Sequence, residues 1–185
     1  MSIALAQCWI SDLEGVSWFV RPATCAEEDQ QFLTLMCYLS AFPMRHCRMS
    51  GCDAELVARL PQIAPWRSGW GRPGDIALLA VDTMTRRRLG AIWCRLFSSP
   101  DDFVPGFYAS DIPIIALAVE VHARRRGIGQ SLLSTLKQIA SQRGYSALSL
   151  SVSTNSPARR LYERNSFIAQ DIQSHPDPTS MSVTL

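Results

Sequence analysis

The sequence predicts a mixed α/β fold in a single domain, with a sheet of about six or seven strands flanked by about four helices. Three observations carry this. Residues 112–153 read strand, helix, strand, a unit whose two strands lie parallel with a right-handed crossover. Residues 76–97 hold two apolar runs joined by a short polar turn, as an antiparallel hairpin does. A length of 185 residues with 47% hydrophobic content suits one core better than two.

The elements follow in order. SWFVRP (17–22) is a short strand. Thr24 and Glu27 then stand at capping-box spacing and open a helix to about Ser40, with Phe32, Leu35, Met36 and Leu39 on its inner face. A second helix starts at Asp53, carries Leu56, Val57 and Leu60, and ends before Pro61. Gln62 to Asp75, rich in Pro, Gly and Trp, is a loop. IALLAVD (76–82) and LGAIWCRLF (89–97) make the hairpin, with Arg86, Arg87 and Arg88 in solvent at its tip. IPIIALAVEV (112–121) is an almost continuous apolar run, the mark of a strand covered on both faces. Ile128, Leu132, Leu133, Leu136 and Ile139 recur at helical spacing up to Arg143 and Gly144. Next, Leu148, Leu150 and Val152 alternate with Ser149, Ser151 and Ser153, giving a strand with one apolar and one polar face. The last helix takes Ser156 as cap, Pro157 at its first position and Asn165 as left-handed terminator. Phe167 onward and SMSVTL at the end close the sheet as two antiparallel strands.

Composition excludes several functions. A formal net charge of +2 is too small for a nucleic-acid coat, although arginines cluster at 86–88 and 124–126 and Trp66 and Trp70 offer stacking surfaces. The six cysteines form no C-x-x-C pair, and no basic-then-apolar leader opens the chain, which indicates a reducing, cytoplasmic setting. His46, Cys47 and Cys52 lack a fourth ligand at any familiar spacing, so no metal is expected. No apolar run approaches the roughly 18 residues of a membrane span.

RRRGIGQSLL (124–133) sits at the mouth of the helix that follows the long apolar strand. A helix N-terminus presents unpaired N–H groups and the positive end of its dipole. Gly127 and Gly129 let the backbone approach a ligand closely, and Arg124, Arg125 and Arg126 add positive charge. This chemistry suits a phosphate or pyrophosphate. The triphosphatase loop G-x-x-x-x-G-K-[ST] is absent, and the dinucleotide pattern G-x-G-x-x-G fails at Leu132. What stands is R-x-x-G-x-G. Together with LAV at 117–119, LSLSV at 148–152 and NSPARRLYERNSF at 155–167, the chain resembles the GNAT N-acetyltransferase superfamily. The last stretch is similar to N-x-x-A-x-x-L-Y-x-x-x-G-F, with Asn155, Ala158, Leu161, Tyr162 and Phe167 matching while Asn165 and Ser166 stand around the usual glycine. VRPAT (20–24) resembles the family's first strand more weakly.

The resemblance implies a GNAT-like fold whose central parallel strands splay apart. The acetyl-CoA-binding core is then about 110–168, with acceptor-side helices in about 24–62. It implies that backbone groups of Leu117, Ala118 and Val119 pair with the pantetheine arm of acetyl-CoA. Amides from Arg124 through Arg125, Arg126, Gly127, Ile128, Gly129 and Gln130 to Ser131 take the pyrophosphate, Asn155 lies along the cofactor, and Tyr162 protonates the departing thiolate. Acetyl transfer by direct attack also needs a neutral amine, which at pH 7 costs about 4.6 kcal/mol for a lysine-like pKa. Many relatives carry Glu where this chain has Ile114. Glu120 is the candidate base, with Asp111, His122 and a water chain as substitutes. Ile114 also motivates an alternative, a degenerate GNAT fold that binds coenzyme A or serves as an interaction module without catalysis. The expected partners are acetyl-CoA and an unidentified amine, with no nucleic acid and no membrane, in a monomer or a homodimer.

Overall fold

The computed structural model describes residues 9–10, 17–42, 53–98, 104–170 and 178–185; His46, Cys47, Cys52, Asp101 and Asp102 lie outside them. In chain order the elements are β1 (Trp9–Ile10), β2 (Trp18–Pro22), α1 (Glu27–Ala41), α2 (Ala54–Ala58), α3 (Ala64–Arg67), β3 (Ile76–Asp82), β4 (Arg88–Arg95), β5 (Ile114–Val119), α4 (Ile128–Gln142), β6 (Ala147–Val152), α5 (Arg159–Arg164), β7 (Ile168–Ala169) and β8 (Thr179–Thr184). The sheet has eight strands, in the order β1-β2-β3-β4-β5-β6-β8-β7, where six or seven are expected; β1 and β7 have two residues each. β5 and β6 run parallel, and the other pairs are antiparallel.

Helices cover both faces. Phe32, Leu33, Met36, Cys37 and Leu39 of α1 bury against Leu79, Val81, Ala91, Trp93, Ile114 and Ala118. Leu35, expected inward, is only half-buried, and Leu33 and Cys37 take its place. On the opposite face, Ile128, Leu132, Leu133, Leu136 and Ala140 of α4 pack on Leu78, Ala80, Ile92, Ile115, Leu148 and Leu150. α4 ends as its sequence predicts, at Arg143 followed by Gly144 with φ +84°. Burial pushes the thiols of Cys37 and Cys94 up to about 12, which leaves both inert.

Several local expectations are overturned. Thr24 and Glu27 form no capping box; α1 begins after Ala26 without a side-chain cap. Asp29 takes Thr24 instead, accepting from its N–H at 2.9 Å and its hydroxyl at 2.8 Å. Arg21 from β2 also holds Asp29 with two hydrogen bonds, and Arg88 from β4 adds a third through Nε at 2.7 Å. Arg88 is therefore an ion-pairing strand residue, not a solvated hairpin tip, and Arg86 lies over the Phe19 ring at 5.2 Å. Asp53 caps α2 as expected, through Glu55 and Leu56 N–H, but α2 is one short turn and Leu56 is exposed. Asn165 is not left-handed: Ser166 is, at φ +67°. Its N–H donates to Glu163 O and the N–H of Phe167 to Tyr162 O, which makes a Schellman ending with the Phe167 ring 5.6 Å from that of Tyr162.

Burial alone raises the pKa of Asp29, but the hydrogen bonds from Arg21, Thr24 and Arg88 overcome it and hold the carboxyl well below its ordinary range. A depressed folded-state pKa stabilises the fold above the unfolded value of about 3.9, and this contribution is lost as pH falls below it. We expect the melting temperature to be flat above about pH 5 and to fall steadily below about pH 4. In Asp29→Asn, melting curves against pH should start lower at neutral pH and fall less steeply.

The segment expected as a loop holds α3 and a buried ion pair. Arg95 of β4 is fully buried and grips Asp75 with Nε at 2.9 Å and Nη2 at 2.7 Å. Its remaining N–H groups donate to the carbonyls of Pro65, Ser68 and Gly69, so all five donors are satisfied. Asp75 in turn accepts from the N–H groups of Gly71 and Arg72. The segment from Ala64 to Asp75 is thereby fastened to the sheet. Trp66 packs edge-on against Trp93 and Phe97, and Trp70 is covered by Arg67 and Arg95. Neither tryptophan is an open stacking platform.

Candidate active site

β5 and β6 share a single register pair, Ile114 with Ser149, beside a hydrogen bond from Ser149 N–H to Pro113 O. Beyond it the two strands part. The hydrogen bond from Glu120 N–H to Leu89 O fixes the alternation along β5: the backbone groups of residues 114, 116, 118 and 120 face β4, whereas those of Ile115, Leu117 and Val119 face the gap. On β6, Ser146 O pairs with Leu185 N–H at the β8 side, so Ser149 and Ser151 face the gap from the other bank. Leu117 and the Val119 N–H thus offer unpaired backbone groups on the strand edge, the Val119 carbonyl being taken by Arg124, while Ala118 spends its backbone on β4.

The N-terminus of α4 closes the top of this gap. Gly127 has φ +83° and Arg125 φ +66°, so the loop bends twice through left-handed backbone. The first helical bond is from Ser131 N–H to Gly127 O, at 3.1 Å. The N–H groups of Arg126, Gly127, Ile128, Gly129 and Gln130 have no protein acceptor among the described residues. Together they form an anion cradle on a helix dipole. Gly129 seats the helix on β5: a Cβ there would lie 3.4 Å from Leu161, 3.7 Å from Leu117 and 4.0 Å from Val119. A Cβ on Gly127 would meet nothing within 4 Å, so no other part of the chain crowds that position.

The arginines divide their work. Arg124 folds back and donates from Nε to Val119 O at 3.0 Å, tying the loop to the strand edge. Arg126 donates to the Ser17 hydroxyl at 2.7 Å, and Arg125 is exposed. The side chain of Gln130 is engaged elsewhere, in a reciprocal amide pair with Asn165 at 2.8 and 2.9 Å, while Lys137 donates to Asn165 O. Asn165 thereby joins α5 to α4. Asn155 is exposed in the turn after β6.

Tyr162 projects from α5 into the core on the α4 side and keeps 5% of its surface. Its hydroxyl makes no hydrogen bond, yet it is not among the polar atoms sealed from solvent. Burial raises its pKa above the ordinary phenol value, so it stays a neutral donor throughout the working pH range. Ile114 is fully buried at the vertex of the splay, facing α1. Alternation puts Glu120 on that same α1 face, half-buried one residue past β5, so the two candidate catalytic groups stand on opposite sides of the sheet. Asp111 and His122 are exposed.

Two features were beyond the sequence reading. The polar serine face of β6 is roofed: a Cβ on Gly106 would lie 2.6 Å from the Leu150 carbonyl carbon, so the 104–108 segment rests directly on the strand, and Ser149 is 1% exposed. The buried Arg95 had one visible signal, a lone charge inside the apolar run LGAIWCRLF.

Comparison with known proteins agrees with this geometry. Among solved structures, the chain is similar to the ribosomal-protein-alanine N-acetyltransferase of Brucella melitensis, with 21% identity, TM-score 0.63, and 90% of this chain and 99% of that chain covered. It is also similar to the PaiA N-acetyltransferase of Thermoplasma acidophilum, solved in complex with coenzyme A, with 15% identity, TM-score 0.63, and 92% and 100% covered. The GNAT domain of S. lividans PAT aligns with TM-score 0.64 at 16% identity, over 91% of this chain and 90% of that one. These likenesses establish the fold. No curated protein matches the sequence. No described helix is long and apolar enough to cross a membrane. Residues 62–167, more than half of the chain, match the acetyltransferase (GNAT) family, and the chain belongs to it.

Proposed function

We propose that the protein is an acetyl-CoA-dependent N-acetyltransferase acting on a primary amine. The observation that carries this is the strand gap closed by an amide cradle, with a free tyrosine hydroxyl on the neighbouring helix. The fit to acetyl-CoA rests on unsatisfied backbone groups of this chain. The amides from Arg126 to Gln130 suit a pyrophosphate, and the free backbone groups of Leu117 with the Val119 N–H suit an extended amide-bearing arm. When bound, acetyl-CoA supplies an activated acyl carbon and a thiol leaving group.

The chain's own groups then divide the chemistry. The Leu117 N–H, fixed before reaction, is placed to stabilise charge developing on the acyl oxygen. The Tyr162 hydroxyl, kept neutral by burial, donates a hydrogen bond toward the departing sulfur. Because a phenol is a weaker acid than a thiol, this hydrogen bond stabilises the departing thiolate without ionising Tyr162, and the proton that completes the thiol is the one lost by the attacking nitrogen. Glu120 on the α1 face is the acidic side chain nearest the end of β5 in sequence, and we assign it the role of base. The acceptor would be a small amine or a peptide amine. The PaiA and ribosomal-protein-alanine enzymes it resembles are both named as N-acetyltransferases.

Amine-dependent release of free coenzyme A tests this directly. In Tyr162→Phe, whose ring keeps the contact with Phe167, kcat should fall about 100-fold with the KM for acetyl-CoA little changed. Undiminished kcat would remove Tyr162 from the mechanism. A second reading, binding of coenzyme A without transfer, is favoured by one observation: apolar Ile114 is buried at the vertex of the splay. Binding of acetyl-CoA with no release over a panel of amines would establish it.

A further inference from the structure

α5 carries Tyr162 but does little to fix its own direction. It is six residues long, against fifteen for α4, and no side chain caps its start. A helix of that length is marginal by itself, so what it touches sets its orientation. α4 has no such need, because Ile128, Leu132, Leu133, Leu136 and Ala140 root it in the core. One helix is therefore an anchor, and the other must be held to it.

Asn165, at the end of α5, does the holding. Its side-chain Nδ2 donates to Leu161 O at 2.7 Å and to Gln130 Oε1 at 2.9 Å, and its Oδ1 accepts from Gln130 Nε2 at 2.8 Å. Its backbone N–H donates to Tyr162 O at 2.9 Å, and its carbonyl accepts from Lys137 Nζ at 3.0 Å. A carbonyl only accepts, so Leu161 O fixes which end of the Asn165 amide donates, and that end orients Gln130. Gln130 Nε2 also donates to Ser134 Oγ at 3.0 Å, which pins it along its own helix. The backbone N–H of the same Gln130 belongs to the anion cradle. One residue thus offers its main chain to the anion and its side chain to the helix that bears Tyr162. Leu161 completes the seat, with its Cδ2 only 3.4 Å from where a Cβ on Gly129 would stand.

Resting on the acetyltransferase reading above, we propose that Asn165 is a positioning residue: by fastening α5 to Gln130, it sets the reach from the pyrophosphate cradle to the Tyr162 hydroxyl. A cosubstrate held by its phosphates and extended along β5 presents its sulfur at one arm's length from the cradle. The Tyr162 hydroxyl has to stand at that point, and a misplacement of about 1 Å costs up to about 100-fold in rate. Asn165 itself moves no proton and forms no covalent bond. Its amide is fully engaged with α4 and α5, and it acts through Tyr162.

The test follows release of coenzyme A by the full chain over a panel of primary amines that includes a tetrapeptide with a free N-terminal alanine and propane-1,3-diamine, with calorimetric binding of acetyl-CoA alongside. In Asn165→Ala, kcat should fall about tenfold while the Kd for acetyl-CoA stays within about twofold, because α4 and its amides remain in place. Gln130→Ala breaks the same pair from the α4 side and should give the same split, with the double variant no worse than either. It carries the test if Asn165→Ala does not fold. In a Tyr162→Phe background, Asn165→Ala should change kcat by less than about twofold, since the group it positions is gone. A pair serving stability alone would lower the melting temperature and leave kcat intact, or cut kcat equally in both backgrounds. Either result overturns the assignment and leaves the acetyltransferase reading standing. Undiminished kcat in Tyr162→Phe removes the group being positioned and the assignment with it. Failure of the unaltered protein to release coenzyme A with any amine of the panel, despite binding acetyl-CoA, overturns both readings.

Discussion

Asp75→Asn should lower stability by roughly 3–5 kcal/mol, the largest effect expected of any single substitution in the described residues. The change is nearly isosteric, so packing is not the cause. It removes the counter-charge of an Arg95 guanidinium that is 0% exposed and leaves that cation against three carbonyls and the Trp70 ring. Burial raises the Asp75 pKa, but the Arg95 hydrogen bonds and the Gly71 and Arg72 N–H groups bring it below the ordinary carboxylate range, so the pair is intact at neutral pH. At about 2–4 °C per kcal/mol for a chain of this size, thermal unfolding should shift by roughly 6–20 °C. Arg95→Met with Asp75→Leu should recover much of the loss, because replacing both members leaves no orphaned charge. A shift under about 2 °C for Asp75→Asn would show that the pair contributes little.

Gly127→Glu should weaken acetyl-CoA binding about 100-fold, or about 2.7 kcal/mol, as read by calorimetric titration. Two costs combine. A side chain at φ +83° strains the loop by roughly 1–2 kcal/mol, and a carboxylate beside five converging amides opposes any phosphate placed there. Gly127→Ala separates them, since a Cβ at this position touches nothing within 4 Å and only the backbone strain remains. The alanine variant should therefore lose about tenfold or less. Equal affinities for the glycine and glutamate forms would place the pyrophosphate elsewhere.

The parts of the fold legible in the sequence are those where one short-range signal decides. α4 is readable because Leu132, Leu133 and Leu136 repeat at helical spacing and Gly144 supplies its left-handed stop. The parallel β5 and β6 follow from the helix between them. The α1 start was misread because Thr24 and Glu27 satisfy a local pattern, while the outcome was set by Arg21 and Arg88, drawn from two strands to the same carboxylate. α3 was hidden by Pro65, which sits where a helix tolerates it, in the first turn. Residue type favours Asn165 as the left-handed terminator, yet Asn165 keeps φ −99° with its side chain paired to Gln130 and its carbonyl to Lys137, and Ser166 takes the positive φ. Within the site, the cradle was visible through its glycines. The burial of Ser149 was not, because a segment more than forty residues earlier supplies its roof.

The single bridge between β5 and β6 has a consequence for cooperativity. The sheet is two leaves, β1 to β5 and β6 with β8 and β7, whose backbones are joined at one residue pair. A molecule that lays its own amides between Leu117 and Ser151 serves as the missing length of strand and makes the hydrogen-bonded lattice continuous. Cosubstrate occupancy should then be visible far from the site, as slowed amide exchange across both leaves at once.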